Sequence, residues 1–248
     1  MALMFQVLYG FTKRRESNLI MAKDKLKRWE ENKGLSNVFE PDLTPIIKEG
    51  KTFMKGHWRS EFFKNNNPIV LELGCGKGEY TVGLARIEPT KNFIGVDVKG
   101  HRFNKGAKEA VDENLNNVAF LRTRIEFIES FFAENEVDEI WLTFSDPQPQ
   151  DHIGNRRITS VYYISKYRKF LKSGSIIHIK HDNPDLYQKA LRELAANNIS
   201  IETHSDDVYG EYISQQDERM QFILNIRTYY EQRWLEEGKT IKYIRFKV

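Results

Sequence analysis

A glycine-rich turn behind a short apolar run is the first feature of this chain able to do chemistry. Leu71-Glu-Leu-Gly-Cys-Gly-Lys-Gly78 sets Gly74, Gly76 and Gly78 at alternate positions after the run Ile69–Leu73. Glycines so spaced let the backbone turn tightly, and let a ligand press on main chain where a Cβ would clash. Asp97 ends the next apolar run, about twenty residues on, where an acid can accept hydrogen bonds from both ribose hydroxyls. These two features suit a dinucleotide and S-adenosylmethionine (AdoMet) alike. Two details favour AdoMet. The spacing is G-x-G-x-G rather than G-x-G-x-x-G, and an acid, Glu72, stands inside the preceding strand. A carboxylate there attracts an ammonium and a sulfonium and repels a pyrophosphate.

A second chemical feature is Phe144-Ser-Asp-Pro-Gln-Pro-Gln150. Asp146 is held between the end of an apolar run and Pro147, and proline fixes the backbone beside it. The same Asp-Pro pair also serves simply as a turn former, and both readings stand at this point. The single cysteine, Cys75, excludes an intrachain disulfide and fits a reducing cytoplasm. Its neighbours are glycines rather than histidine or a second cysteine, so no metal site is expected.

The elements that must position these residues follow a regular rhythm. Strands are predicted at Ile69–Leu73, Phe93–Asp97, Val118–Arg122, Asp138–Phe144, Ser175–Lys180 and Ile199–Thr203, with a final strand in the tail Lys239–Val248. Helices are predicted over 79–87, 101–114, 125–132, 159–171 and 184–196. Alternation of this kind implies a mostly parallel, seven-stranded sheet with helices on both faces, the Rossmann-like α/β class. Ligands then bind at the carboxyl ends of the strands, where the strand order switches. Residues 204–238 give the weakest period. Residues 21–67 read as an arm with short helices, and 68–248 as the catalytic domain.

The 248 residues suit one such domain. Net charge is only +3, but cations cluster: Lys23, Lys25, Lys27 and Arg28; Arg156 and Arg157; Lys166, Arg168, Lys169 and Lys172; Lys239, Lys242, Arg245 and Lys247. Gathered on one face they form a phosphate-binding surface; scattered, they are ordinary solubilising charge. The apolar stretch Met1–Phe11 is too short to span a bilayer, and its cations follow it, whereas a secretory signal has them in front. Met21-Ala-Lys-Asp24 looks like a second start, so residues 1–20 read as a dispensable extension from a misassigned start codon. A cytoplasmic protein with no membrane span is expected, as a monomer or a homodimer.

The order E-L-G-C-G-K-G, I-G-V-D, F-S-D-P-Q-P, R-R-I, K-H-D-N, T-Y-Y-E resembles that of the bacterial tRNA (guanine-N7)-methyltransferases, from about Lys23 to the C-terminus. The glycine motif is general to methyltransferases; the Asp-Pro loop with its trailing Arg-Arg and the late T-x-x-E are more specific. The resemblance implies a class I methyltransferase with AdoMet as donor, tRNA as partner and no metal. Glu72, Gly74, Gly76, Gly78 and Asp97 then bind AdoMet, and Asp146 is catalytic while lying against the donor. Asp182, Thr228 and Glu231 contact the target guanosine or its tRNA, and Gln150, Arg156 and Arg157 belong to the RNA-binding loop. The chain departs from the family's D-P-W-P-K-K-R-H in having Gln148, Gln150 and Asp151 in place of a tryptophan and two bases. Arg124 stands where an acid usually meets the adenine, with Glu126 two residues on, so backbone groups of Arg124 and Ile125 are expected to take that edge.

Methylation at guanine N7 suits such a residue set. N7 is a lone-pair nucleophile with no proton to lose, so alignment and stabilisation of developing positive charge matter more than a strong base. The expected product is 7-methylguanosine at position 46 of the tRNA variable loop. Tyr229 and Tyr230 could stack on a base, or could equally be core residues. The competing readings are a class I methyltransferase for another RNA or a protein, a non-catalytic AdoMet- or RNA-binding module, and a nicotinamide oxidoreductase.

Overall fold

Ile69–Leu73, Asn92–Asp97 and Val118–Arg122 are nearly unbroken apolar runs, and strands of that kind need cover on both faces. The computed structural model, which describes residues 23–145 and 157–248, places them where that cover exists. They are β2, β3 and β4, paired in parallel within an eight-stranded sheet of order β1-β4-β3-β2-β5-β6-β8-β7. The remaining strands are β1 (Val38–Phe39), β5 (Val137–Thr143), β6 (Leu171–His181), β7 (Ile201–Ser205) and β8 (Lys242–Lys247). Among them β8 alone runs against its neighbours, β6 and β7. The strand beyond the seven expected is β1. Its two residues pair beside β4, Val38 opposite Phe120, and are too few to carry a period.

Side chains alternate across this sheet and build two cores. Leu71, Ile94, Leu121, Ile140 and Ile177 face one side, under α2 (Leu43–Glu49), α5 (Val161–Tyr167) and α6 (Pro184–Ala196). Val70, Phe93, Phe120, Trp141 and Tyr243 face the other, under α3 (Glu79–Ile87), α4 (Gly100–Asp112) and α7 (Glu218–Leu224). The early segment joins the first core through Ile46, Trp58 and Phe63. Helix α1, residues 23–32, docks on α4: Asn32 Nδ2 donates to the Gly100 carbonyl at 3.1 Å and to Glu40 at 2.8 Å. The last helix, α8, is Tyr229–Glu236.

Two predicted helices differ in form. Ile125–Ser130 is a 3-10 helix, and α5 ends at Tyr167 because β6 begins at Leu171, where it pairs with Val137. The parallel registers align Leu73 with Val96, Asp97 with Arg122, and Thr143 with Lys180. The carboxyl ends of β2 to β6 therefore lie along one edge. The strand order reverses at β2, between β3 and β5, which is where a ligand crevice opens in such sheets.

Gly78 shows what one of the three loop glycines is for. It caps α3 at φ 78°, and a Cβ there would lie 2.5 Å from the Phe120 ring. Its glycine is demanded by packing of the helix against β4. Gly74 is different: at φ 83°, a Cβ there would meet nothing nearer than Ile158 Cδ1 at 3.8 Å, across open space.

Candidate active site

That open space is a cavity of about 450 Å³ at the strand ends, a volume suited to a small-molecule ligand. Gly74 forms its floor, Asp97 one end, and Thr123, Arg124 and Ile125 the other side, with Phe144 and Ile158 as apolar walls. Asp97 is nearly buried and already oriented: Oδ2 accepts from Gly76 N at 3.0 Å, and Oδ1 from Lys99 N at 2.8 Å. Each oxygen keeps a further lone pair for a donor. Arg124 pairs its guanidinium with Glu126, 2.8 Å away, and both residues line the cavity. An adenosine-based donor fits these residues: a carboxylate for the ribose diol, apolar walls for the purine, and backbone for its polar edge. Asp97→Ala is expected to weaken AdoMet by about 1–3 kcal/mol through loss of charged hydrogen bonds. Titration calorimetry checks this, and unchanged affinity would move the ribose elsewhere.

Glu72 lies beneath the loop rather than on the cavity wall. One carboxylate oxygen accepts from Thr81, both its backbone N–H at 2.8 Å and its hydroxyl, and the other accepts from the Thr143 hydroxyl. The residue ties β2, the start of α3 and the end of β5 into one block. Burial pushes its carboxyl up to about 7 against the opposing pull of the threonine hydrogen bonds, and the charge of Asp97 adds to the rise. A carboxyl with a raised folded value binds more protons folded than unfolded between pH 4.5 and 7, so its contribution to stability falls as pH rises through that window. Glu72→Gln is expected to flatten this slope. Urea midpoints of both proteins across the window measure it, and parallel curves would show that the carboxyl does not titrate there.

A second cavity, about 430 Å³, adjoins the first. Arg102, Phe144 and Ser145 line both, while His181, Asp182, Asn183, Tyr230 and Trp234 line the second. His181 fastens the seam. Its Nδ1 accepts from Asn183 N at 2.9 Å, so its Nε2–H donates to the Ser145 carbonyl at 2.6 Å. The chain then enters the Asp-Pro loop; Asp146, Gln150 and Arg156 lie outside the described residues. Arg157, at the loop's far end, is buried and pairs with Glu193 of α6 at 2.8 Å, which makes it an anchor for the returning chain.

The T-x-x-E residues sit differently from one another. Thr228 caps α8, its hydroxyl accepting from Glu231 N at 3.1 Å. Glu231 is wholly buried and pairs with Lys180 at 2.7 Å, also wholly buried. Lys180 further donates to the carbonyls of Leu224 (2.7 Å) and Ile226 (3.2 Å), and the Tyr209 hydroxyl donates to Glu231 at 2.6 Å. Burial pulls the Lys180 ammonium below its ordinary range, opposed by Glu231. Asp182 is the substrate candidate that opens on the second cavity, its side chain 14% exposed and 3.5 Å from Lys239. Arg102 and Trp234 are cavity residues that the motifs do not mark. The signal available was the spacing of Tyr230 and Trp234, four apart and hence on one face of a helix.

The basic clusters do not form one face. Lys172 is the second residue of β6, at the edge opposite the cavities, and pairs with Asp138, while Lys169 pairs with Glu129. Lys27 and Arg28 instead share a groove of mixed charge with Lys77, Arg102, Lys105 and Lys108 and the acids Asp24, Glu31, Glu109, Asp112 and Glu113, and Arg102 joins that groove to both cavities.

The fold is that of the class I AdoMet-dependent methyltransferases. Two solved structures carry the same fold: the 16S rRNA methyltransferase KamB, with TM-score 0.57, 12% identity and coverage of 80% of this chain and 95% of that one; and an antibiotic-related methyltransferase, with TM-score 0.53, 18% identity and coverage of 76% and 91%. A family described as "Putative methyltransferase" matches residues 66–244. The tRNA (guanine-N(7)-)-methyltransferase of Porphyromonas gingivalis is 53% identical over 213 residues, covering 85% of this chain and 84% of the relative. That of Bacteroides fragilis is 48% identical over 227 residues, covering 91% and 86%. The chain belongs to the tRNA (guanine-N(7)-)-methyltransferases.

Proposed function

We propose that this chain methylates N7 of guanine 46 in the variable loop of tRNA, forming 7-methylguanosine, and that it does so in the cytoplasm, where that tRNA is found. The observation that carries the reading is the junction of two cavities at Phe144 and Ser145, one suited to adenosine and one opening on Asp182. The names of the relatives supply the reaction.

When bound, AdoMet supplies a methyl group already made electrophilic by its sulfonium. The protein's own residues then hold and orient. Asp97 fixes the ribose, and the Gly74 main chain admits the donor's close approach. Asp182 accepts hydrogen bonds from the guanine N1–H and amino edge, leaving N7, on the far side of the bicycle, free to turn toward the seam. Asp146, one residue past Ser145, offsets positive charge that develops on the purine. No proton leaves N7, so the proposed reaction calls on no metal and no strong base. Lys27, Arg28, Lys105 and Lys108 in the groove beside Arg102 meet tRNA phosphates.

Incubation with AdoMet and an unmodified tRNA transcript, followed by nucleoside mass spectrometry, tests the reading. 7-Methylguanosine is expected from a transcript with G46 and none from one with A46. Methylation that persists in the A46 transcript would overturn the position, and no methylated guanine at all would overturn the function.

A further inference from the structure

We infer that the second cavity is a purine slot in which Tyr230 and Trp234 of α8 supply the stacking surface, which makes them specificity-determining residues for the base. The inference rests on the guanine reading above and adds the residues that grip the base.

Tyr230 and Trp234 stand four apart on α8 and line the same cavity as Asp182. Neither behaves as a core aromatic. Tyr230 is 39% exposed, and Trp234 is only partly buried. Trp234 packs in part on the second core and Tyr230 stands edge-on to Tyr229, and each ring also meets a cation. Arg102 donates to the Tyr230 hydroxyl at 2.8 Å, and the Lys239 ammonium lies 3.4 Å from the centre of the Trp234 ring. The same Lys239 reaches Asp182 at 3.5 Å, so one lysine fixes an aromatic ring and the carboxylate beside it. Aromatic rings that keep exposed surface in a cavity, next to an acceptor-only group, form the chemistry that holds an unstacked base. Asp182 adds a preference for a base whose ring N1–H and amino group lie side by side as donors, which among the purines is guanine, since adenine N1 is an acceptor. The order of the cavities fits as well. Phe144 and Ser145 line both, whereas Asp182, Tyr230 and Trp234 line only the second, so a base gripped at its N1 edge presents N7 toward the shared wall.

Steady-state transfer to one G46 transcript tests this with wild-type protein, Trp234→Phe, Trp234→Ala and Tyr230→Ala, each with its AdoMet affinity measured by calorimetry. Trp234→Ala is expected to lose about 10–100-fold in kcat/KM for tRNA, chiefly through KM, with AdoMet affinity unchanged. Trp234→Phe keeps a stacking face and recovers most of the loss. Wild-type kcat/KM in both alanine variants would overturn the slot while leaving the function in place. A wild-type protein that methylates no guanine would remove the slot together with the reading beneath it. Where an alanine variant does not fold, a transcript carrying the fluorescent guanine surrogate thienoguanosine, which keeps N1–H and the 2-amino group, at position 46 reports on the wild-type protein directly. Stacking quenches that base on binding, and undiminished fluorescence in the complex would overturn the slot.

Discussion

Glu231→Gln is expected to destabilise the protein by about 3–5 kcal/mol, the cost of leaving a buried charge without its partner. Lys180 and Glu231 are both wholly out of water, and the ammonium would keep only the carbonyls of Leu224 and Ile226 and the Tyr209 hydroxyl. The carboxylate is not fully satisfied either, since its Oε2 is buried without a hydrogen-bond partner. The pair therefore gains less from being formed than it loses from being broken. Replacing both members tests that asymmetry. Lys180→Met with Glu231→Leu should cost much less than the two single changes summed, because no charge is then stranded. Urea unfolding of the four proteins completes the cycle. Additive losses, or an unshifted midpoint in Glu231→Gln, would show that the pair is not what joins α8 to β6. Activity should follow stability here, because α8 carries Tyr230 and Trp234 to the wall of the second cavity.

The parts of the fold legible in the sequence are those whose signal is local. Ile69–Leu73 and Val118–Arg122 are strands at the residues predicted, because a strand buried on both faces is a continuous apolar run. Pro184–Ala196 is likewise a helix over its predicted span, announced by the Asn183 cap and Pro184 behind it. That Gly74, Asp97, Arg124 and Ile125 share one cavity follows from the strand pattern, because each lies at or just past a strand's carboxyl end and parallel strands bring those ends to one edge.

What stayed hidden depends on partners distant in sequence. Thr228 and Glu231 carry the spacing of a capping box, in which the acid would turn back to the cap. Thr228 does cap the helix, but Glu231 turns instead to Lys180, fifty-one positions earlier in the sequence. Arg157 reads as half of a basic pair, yet its guanidinium is held by Glu193. Gly78 and Gly74 look alike in the motif; only the Phe120 ring against one and the cavity beside the other separate packing from binding. Residues 204–238 hide for another reason. They hold a π-helical turn and two helices of 7 and 8 residues, too short to establish a period.

Asp146→Ala is expected to lower kcat by about 10²–10³ while largely sparing AdoMet binding, on the scale of removing one preorganised electrostatic group from a reacting centre. The structure fixes the residue before it. Ser145 is nearly buried, lines both cavities, and has its carbonyl held by His181 Nε2. We propose that the carboxylate of Asp146, the next residue in the chain, acts on the purine during transfer. Because N7 carries no proton, the carboxylate's task there is to counter the positive charge appearing on the purine, and that task separates two substitutions. Asn keeps the size and one acceptor but not the charge. If charge is what counts, Asp146→Asn should be nearly as slow as Asp146→Ala; if the residue only orients the base through a hydrogen bond, Asn should restore much of the rate. Single-turnover rates at saturating AdoMet and tRNA, with donor affinity measured in parallel, distinguish these outcomes. An alanine variant that turns over at the wild-type rate would take Asp146 out of the mechanism and leave Asp182 as the carboxylate that lines the second cavity.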